Sequence, residues 1–151
     1  MSYKFYNANT QGNFVNDCTI RAISLAEGKT WDETYQELSY IAQRNGIILD
    51  DVNFIEPLLD SRYERMCYQR MTVGEFVEQN PNGTYLITMN GHITCAINGT
   101  IYDTFDCRDR FMWCAWEVVW LPFMGRYSSG RRSKSAKFVF VGSNPTLPSI
   151  C

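Results

Sequence analysis

One histidine, no Cys-x-x-Cys pair and no apolar run long enough to cross a bilayer set the first limits on this 151-residue sequence. With His92 as the single imidazole, metal centres built from several histidines are excluded. The missing Cys-x-x-Cys removes the usual zinc-ribbon and thioredoxin patterns. The most apolar stretch, Phe111 to Met124, is broken by Glu117 and falls short of the roughly 20 residues that a spanning helix needs. It reads as buried strand. The opening MSYKFYNANTQGN has no apolar segment of the kind a signal peptide carries, so the expectation is a soluble protein of the cytoplasm, with no membrane partner. Neither charge sign dominates. A net charge of −2 argues against nucleic acid as the main partner. Internal repeats are absent.

What is present is an ordinary globular composition, 45% apolar and 20% charged, with an aromatic share of 15% that is high enough to fill a core with rings. The length predicts one domain over residues 1–151. Six cysteines would suggest disulfides in an exported chain; in the cytoplasm they are expected to be reduced. A structural zinc site from Cys95, Cys107 and Cys114 is one alternative. Buried thiols acting as small hydrophobes are the reading adopted.

Helix signals fill the first half. Cys18 to Glu27 reads as a short buried helix, with Asp17 or Asn16 able to cap it and Gly28 to end it. Thr30-Trp31-Asp32-Glu33 is a capping box that opens a helix to about Arg44, with Trp31, Tyr35, Leu38 and Ile41 or Ala42 as its apolar stripe. A third helical piece covers Val52 to Leu59, with Pro57 in its middle. Thr72-Val73-Gly74-Glu75 is a second capping box, and its helix ends before Asn80-Pro81. Strands follow over Thr84 to Met89, His92 to Ile97, Thr100 to Phe105, Trp113 to Leu121 and Lys137 to Val141. Asn98-Gly99 between two β-rich runs is a strong hairpin signal. The segment of about 125–137 carries Arg126, Arg131, Arg132, Lys134 and Lys137 without an acid and reads as a mobile, solvated loop. Helices first and an antiparallel sheet after predict an α+β fold, with an N-terminal helix packed on a curled antiparallel sheet.

Three residues could do chemistry together. A cysteine in the first turn of a helix, as Cys18 is expected to be, sits where unpaired N–H groups favour an anion. That setting lowers a thiol pKa from about 8.5 toward roughly 4–7. His92 is the one available base. With Asn98-Gly99 as a two-residue turn, Ile97 pairs with Thr100 and Thr94 faces Asp103. Side chains 92, 94, 101, 103 and 105 then share one face. Asp103 is the expected partner of His92, while Asp106 and Cys95 point away. An Asp bonded to one imidazole nitrogen fixes the tautomer and leaves the other nitrogen for Cys18.

A nucleophile helix, then a His on a strand, then an acid on the next strand resembles the papain-like cysteine peptidase superfamily, over roughly Tyr6 to Trp120. More closely, NDCTIRAISLA, TWDETYQEL, TVGEFVEQNPNGTY, GHITCAINGTIYDT and FDC look like a group of small uncharacterised phage and Gram-positive bacterial proteins with an Asp-Cys-x-x-Arg-Ala, His, Tyr-Asp-Thr pattern. The resemblance implies a papain-like fold and a thiol hydrolase, in the host cytoplasm for a phage-encoded chain. Papain-type enzymes carry a Gln six residues before the Cys as oxyanion donor; here that position is Gly12. Gln11, Asn9 and Asn16 are the candidates for that role. No metal or cofactor is called for.

The expected function is hydrolysis of an amide or isopeptide bond in a peptide or protein substrate by Cys18, His92 and Asp103. Two alternatives remain open. The same triad serves acyl transfer or deamidation, and a papain-like scaffold with an idle triad serves as a non-enzymatic binder of a host protein. Aromatics Trp31, Tyr102, Trp113 and Trp116 are candidates for a groove wall, with core packing as the competing role.

Overall fold

The computed structural model describes residues 1–49, 51–67 and 70–119. The expected strand at Lys137 to Val141 and the basic segment at about 125–137 lie outside these residues. Along the chain run β1 (Ser2–Phe5), α1 (Cys18–Glu27), α2 (Trp31–Arg44), α3 (Val52–Arg62), β2 (Arg65–Cys67), α4 (Val73–Gln79), β3 (Thr84–Met89), β4 (His92–Ile97), β5 (Thr100–Asp103) and β6 (Met112–Glu117). The fold is α+β, as expected.

Local chemistry explains most of the boundaries. α1 ends where Gly28 turns left-handed at φ 67° and returns its N–H to the last carbonyls. In α2 and α4 the threonines Thr30 and Thr72 accept from the N–H of Glu33 and Glu75, and each glutamate reaches back to its threonine N–H. α3 runs past its expected end despite Pro57. An interior proline costs about 3 kcal/mol. Phe54, Ile55, Leu58 and Leu59 are completely buried, and each such side chain contributes about 1.5–3 kcal/mol. Packing outweighs the broken ladder.

The sheet has the order β1-β5-β4-β3-β6-β2. It corrects the expected all-antiparallel sheet: β1 lies parallel to β5, with Ser2 opposite Thr100 and Phe5 opposite Asp103. A parallel neighbour needs a long crossover, which α1 through β4 supply. The remaining pairs are antiparallel, and the sheet does not close on itself. At its centre Ile97 pairs with Thr100 across Asn98-Gly99, whose φ values of 47° and 83° both lie in the left-handed region. Such a turn matches the twist of the strands it joins.

Alternation along the strands makes two cores. Leu86, Ile93, Cys95, Cys114 and Trp116 face α1, α2 and α3; Ile87, Met89, Ala96, Ile101 and Ala115 pack with Val73, Phe76 and Val77 of α4. Cys95 and Cys114 belong to the first core and Cys107 to the second. The three sulfurs therefore do not converge on one zinc ion. Tyr35, expected in the apolar stripe of α2, is exposed and stacks on Trp31 with ring centroids 5.2 Å apart. Trp116 is wholly buried in the core. Among the described residues, no helix is long and apolar enough to cross a membrane.

Candidate active site

His92 opens β4 directly after the tight turn at Asn90-Gly91, paired with Met89. Asp103 closes β5. The two-residue turn at Asn98-Gly99 puts both side chains on the same face, and His92 Nε2 donates to Asp103 Oδ2 at 2.6 Å. A carboxylate only accepts here, so Nε2 carries the hydrogen and Nδ1 is the nitrogen left to face outward. Both residues are 4% exposed. Asp106 is exposed and bound to Arg108 at 2.6 Å, which removes it from the site as the register predicts.

Burial by itself would raise the Asp103 pKa. The hydrogen bond from His92, the His92 charge and the Thr104 N–H at 2.7 Å outweigh it and hold the carboxyl below its ordinary value. Asp103 therefore stays an anion beside the imidazole.

Cys18 begins α1, and its N-cap residue is Asp17. The Asp17 carboxylate does not cap the helix, which corrects one expectation. It is turned instead to Arg21, to the Trp31 Nε1–H at 2.9 Å and to the Asn9 amide at 3.3 Å. Three stronger partners, one of them a buried cation, outbid a local N–H bond. Arg21 continues the network, with Nη2 at 3.4 Å from Asp103 Oδ1. A chain of buried polar groups thus joins the loop before α1, the start of α2, α1 itself and β5.

Cys18 and His92 meet in one open cavity of about 400 Å³, with Phe14, Val15, Asn16, Arg21, Gly91, Thr104, Phe105 and Arg110 in its wall. Of the oxyanion candidates, Asn16 lines this cavity. Asn9 is buried, with its amide on Asp17 and its carbonyl oxygen accepting the Gln11 N–H at 2.9 Å, so it builds the loop. Gln11 is exposed and outside the wall. The expected aromatic groove of Trp31, Tyr102, Trp113 and Trp116 is not the cavity wall; Phe14 and Phe105 take that place.

Cys95, Cys107 and Cys114 carry free thiols. Cys18 is disulfide-bonded, in contrast to the expectation of reduced thiols throughout. Of these four it is the one that lines the cavity. Burial, and after it the Asp103 charge, pushes the Cys107 thiol up to about 12, and the same causes raise Cys95. Neither competes as a nucleophile.

His92, Asp103 and Cys107 also present three ligand atoms within 4.8 Å of one another. A metal there would have to part the direct hydrogen bond between ring and carboxylate, and the Cys107 thiol already points to Asp103 Oδ2 at 4.0 Å. The set fits a hydrogen-bonded dyad better than an ion.

The three residues singled out from the sequence lie close together, Cys18 and His92 in one cavity wall and Asp103 bonded to His92; several residues around them were not singled out. Arg21 carried a signal: the lone cation of the mostly apolar, buried helix Cys18–Glu27 must find buried carboxylates. Phe105 falls on the His92 face by the same register, whereas Arg110 carried no signal, because its place in the cavity wall depends on how the segment after β5 folds back.

Comparison with family models, with curated proteins and with solved structures finds no match to this chain.

Proposed function

We propose that this chain is a papain-like cysteine hydrolase that cleaves an amide or isopeptide bond in a peptide or protein. One observation carries the reading: a single cavity is lined by Cys18 and His92, and the imidazole is oriented from behind by the buried Asp103 at 2.6 Å. In the reduced protein, His92 Nδ1 takes the Cys18 proton and the thiolate attacks the scissile carbonyl carbon. The carbonyl oxygen becomes an oxyanion at the start of α1, where the Cys18 backbone N–H and the Asn16 side chain are the available donors. Collapse of this intermediate breaks the C–N bond, and His92 returns the proton to the leaving amine. Water, deprotonated by His92, then attacks the thioester and releases the acid and Cys18. Asp103 keeps Nε2 protonated and the ring aligned throughout.

The disulfide at Cys18 favours a second reading, a binder whose triad is idle. Incubating the reduced protein with a panel of peptide, isopeptide and glutamine substrates, followed by mass spectrometry, separates the two. Hydrolysis leaves an acyl adduct on Cys18 that vanishes in Cys18→Ala and is strongly depleted in His92→Ala. A Cys18 that forms no adduct and alkylates no faster than a simple thiol supports the binder.

A further inference from the structure

Apart from the reacting pair, the cavity is charged in one sense. Arg21 and Arg110 contribute to its wall, and among the described residues no carboxylate does. The Arg21 charge is balanced by Asp17 and Asp103. Arg110 has no carboxylate within ion-pair distance among the described residues; its side chain reaches the Asn90 carbonyl at 3.4 Å and lies over the Phe105 ring at 5.2 Å. Beyond the described residues, Asp50 is the one acidic side chain, and residues 120–151 contain none. The neighbouring acid Asp109 lines a different depression, beside Glu75 and Glu78.

Arg110 is also held in place. Its N–H donates to the Cys107 carbonyl at 3.1 Å, and its own carbonyl accepts from Val73 N–H at 2.8 Å, which ties it to the start of α4. Phe105 links it to the reacting centre, since that ring lies 4.6 Å from the His92 ring on one side and under the Arg110 guanidinium on the other. The guanidinium is exposed, and among the described residues most of its donor fork is unused. Phe14 and Val15, 71% and 53% exposed, supply an apolar rim across from it.

We infer that Arg110 forms an anion subsite that selects substrates bearing a carboxylate close to the scissile bond. A planar guanidinium held over an aromatic ring can pair a carboxylate with two parallel hydrogen bonds, and Phe105 relates the place of that carboxylate to His92. This inference rests on the hydrolase reading for its biological meaning, but the subsite itself is measurable without turnover.

The test compares two alkylating agents of similar size on reduced Cys18, anionic iodoacetate and neutral iodoacetamide, with adducts counted by peptide mass spectrometry. The rate ratio of iodoacetate to iodoacetamide is expected to fall about threefold or more in Arg110→Gln, to be retained in Arg110→Lys, and to fall in the wild type as salt is raised. Using a ratio cancels any general change in thiol exposure. An unchanged ratio in Arg110→Gln overturns the subsite. Failure of the hydrolase reading shows elsewhere, as an iodoacetamide rate that His92→Ala does not alter. The source of the carboxylate is read by peptides that protect Cys18 from iodoacetamide: Glu against Gln beside the scissile bond, and a free against an amidated C-terminus. Stronger protection by the charged member of either pair supports the subsite, and equal protection within both pairs overturns it.

Discussion

Arg21 grips the Asp17 carboxylate with one arm of its guanidinium and lies 3.4 Å from Asp103 with the other. The residue before the proposed nucleophile and the acid behind the proposed base are therefore braced by one side chain. Side chains of all three are at most 10% exposed, so their charges are balanced by each other more than by water.

Replacing Arg21 with Met keeps the bulk and removes the charge. Two buried carboxylates then face each other without a cation, and breaking a buried pair in this way costs about 3–5 kcal/mol. The unfolding free energy extrapolated from urea titration should be lower by that amount. A loss below about 1 kcal/mol would mean that water already screens the network.

Acid stability follows from two carboxylates. For Glu27, burial raises the pKa, but Arg62, Lys29 and Tyr63 more than reverse it and leave it below the ordinary value. Asp103 is lowered as well. A group whose folded pKa is depressed adds stability above its unfolded pKa, about 4 for these residues, and loses it as pH falls through the folded value. The urea midpoint should accordingly be flat with respect to these groups above about pH 5 and drop below it. Glu27→Gln and Asp103→Asn should each flatten part of that drop. A midpoint that does not change between pH 5 and pH 3 contradicts the assignment.

Asp103 and Asp106 lie three positions apart in the sequence and are unequal in the structure. Asp103→Asn should leave the fold in place, by circular dichroism, but disturb the imidazole tautomer. The comparable change in a serine triad costs about four powers of ten. Here a loss of about one to three powers is expected, because a thiolate needs less help than a hydroxyl. Asp106→Asn should cost little, since Asp106 is exposed and its partner is the half-buried Arg108. Equal losses in both variants would refute the assignment of Asp103.

Much of this arrangement was legible because local chemistry and tertiary need agree. Asn98-Gly99 demands a turn that the strands can use, and the turn alone fixes the face shared by His92 and Asp103. The capping boxes at Thr30 and Thr72 mark helix starts through contacts three residues long. β1 was not legible, because four mostly exposed residues become a strand by pairing with β5 nearly a hundred residues away. β2 is shorter still. The length of α3 was hidden by Pro57, whose local penalty is overcome by burial that only the assembled core provides. The role of Asp17 was misread for the same reason: a local cap was outcompeted by Arg21, Trp31 and Asn9.

The disulfide and the triad exclude one another, so any activity should depend on reductant. Untreated protein should give no acyl adduct on Cys18, and dithiothreitol should release it. Full activity without reductant would show that Cys18 is reduced in solution.

The central claim, a thiol activated by His92, is tested most directly by the pH profile of Cys18 alkylation in the reduced protein. Iodoacetamide labelling, read peptide by peptide, sets Cys18 against the buried Cys95, Cys107 and Cys114 in one sample. The account predicts that Cys18 reacts fastest and that its labelling persists well below the roughly 8.5 midpoint of an ordinary thiol. In His92→Ala the midpoint should return to that ordinary value. A profile that is the same with and without His92 would contradict the account.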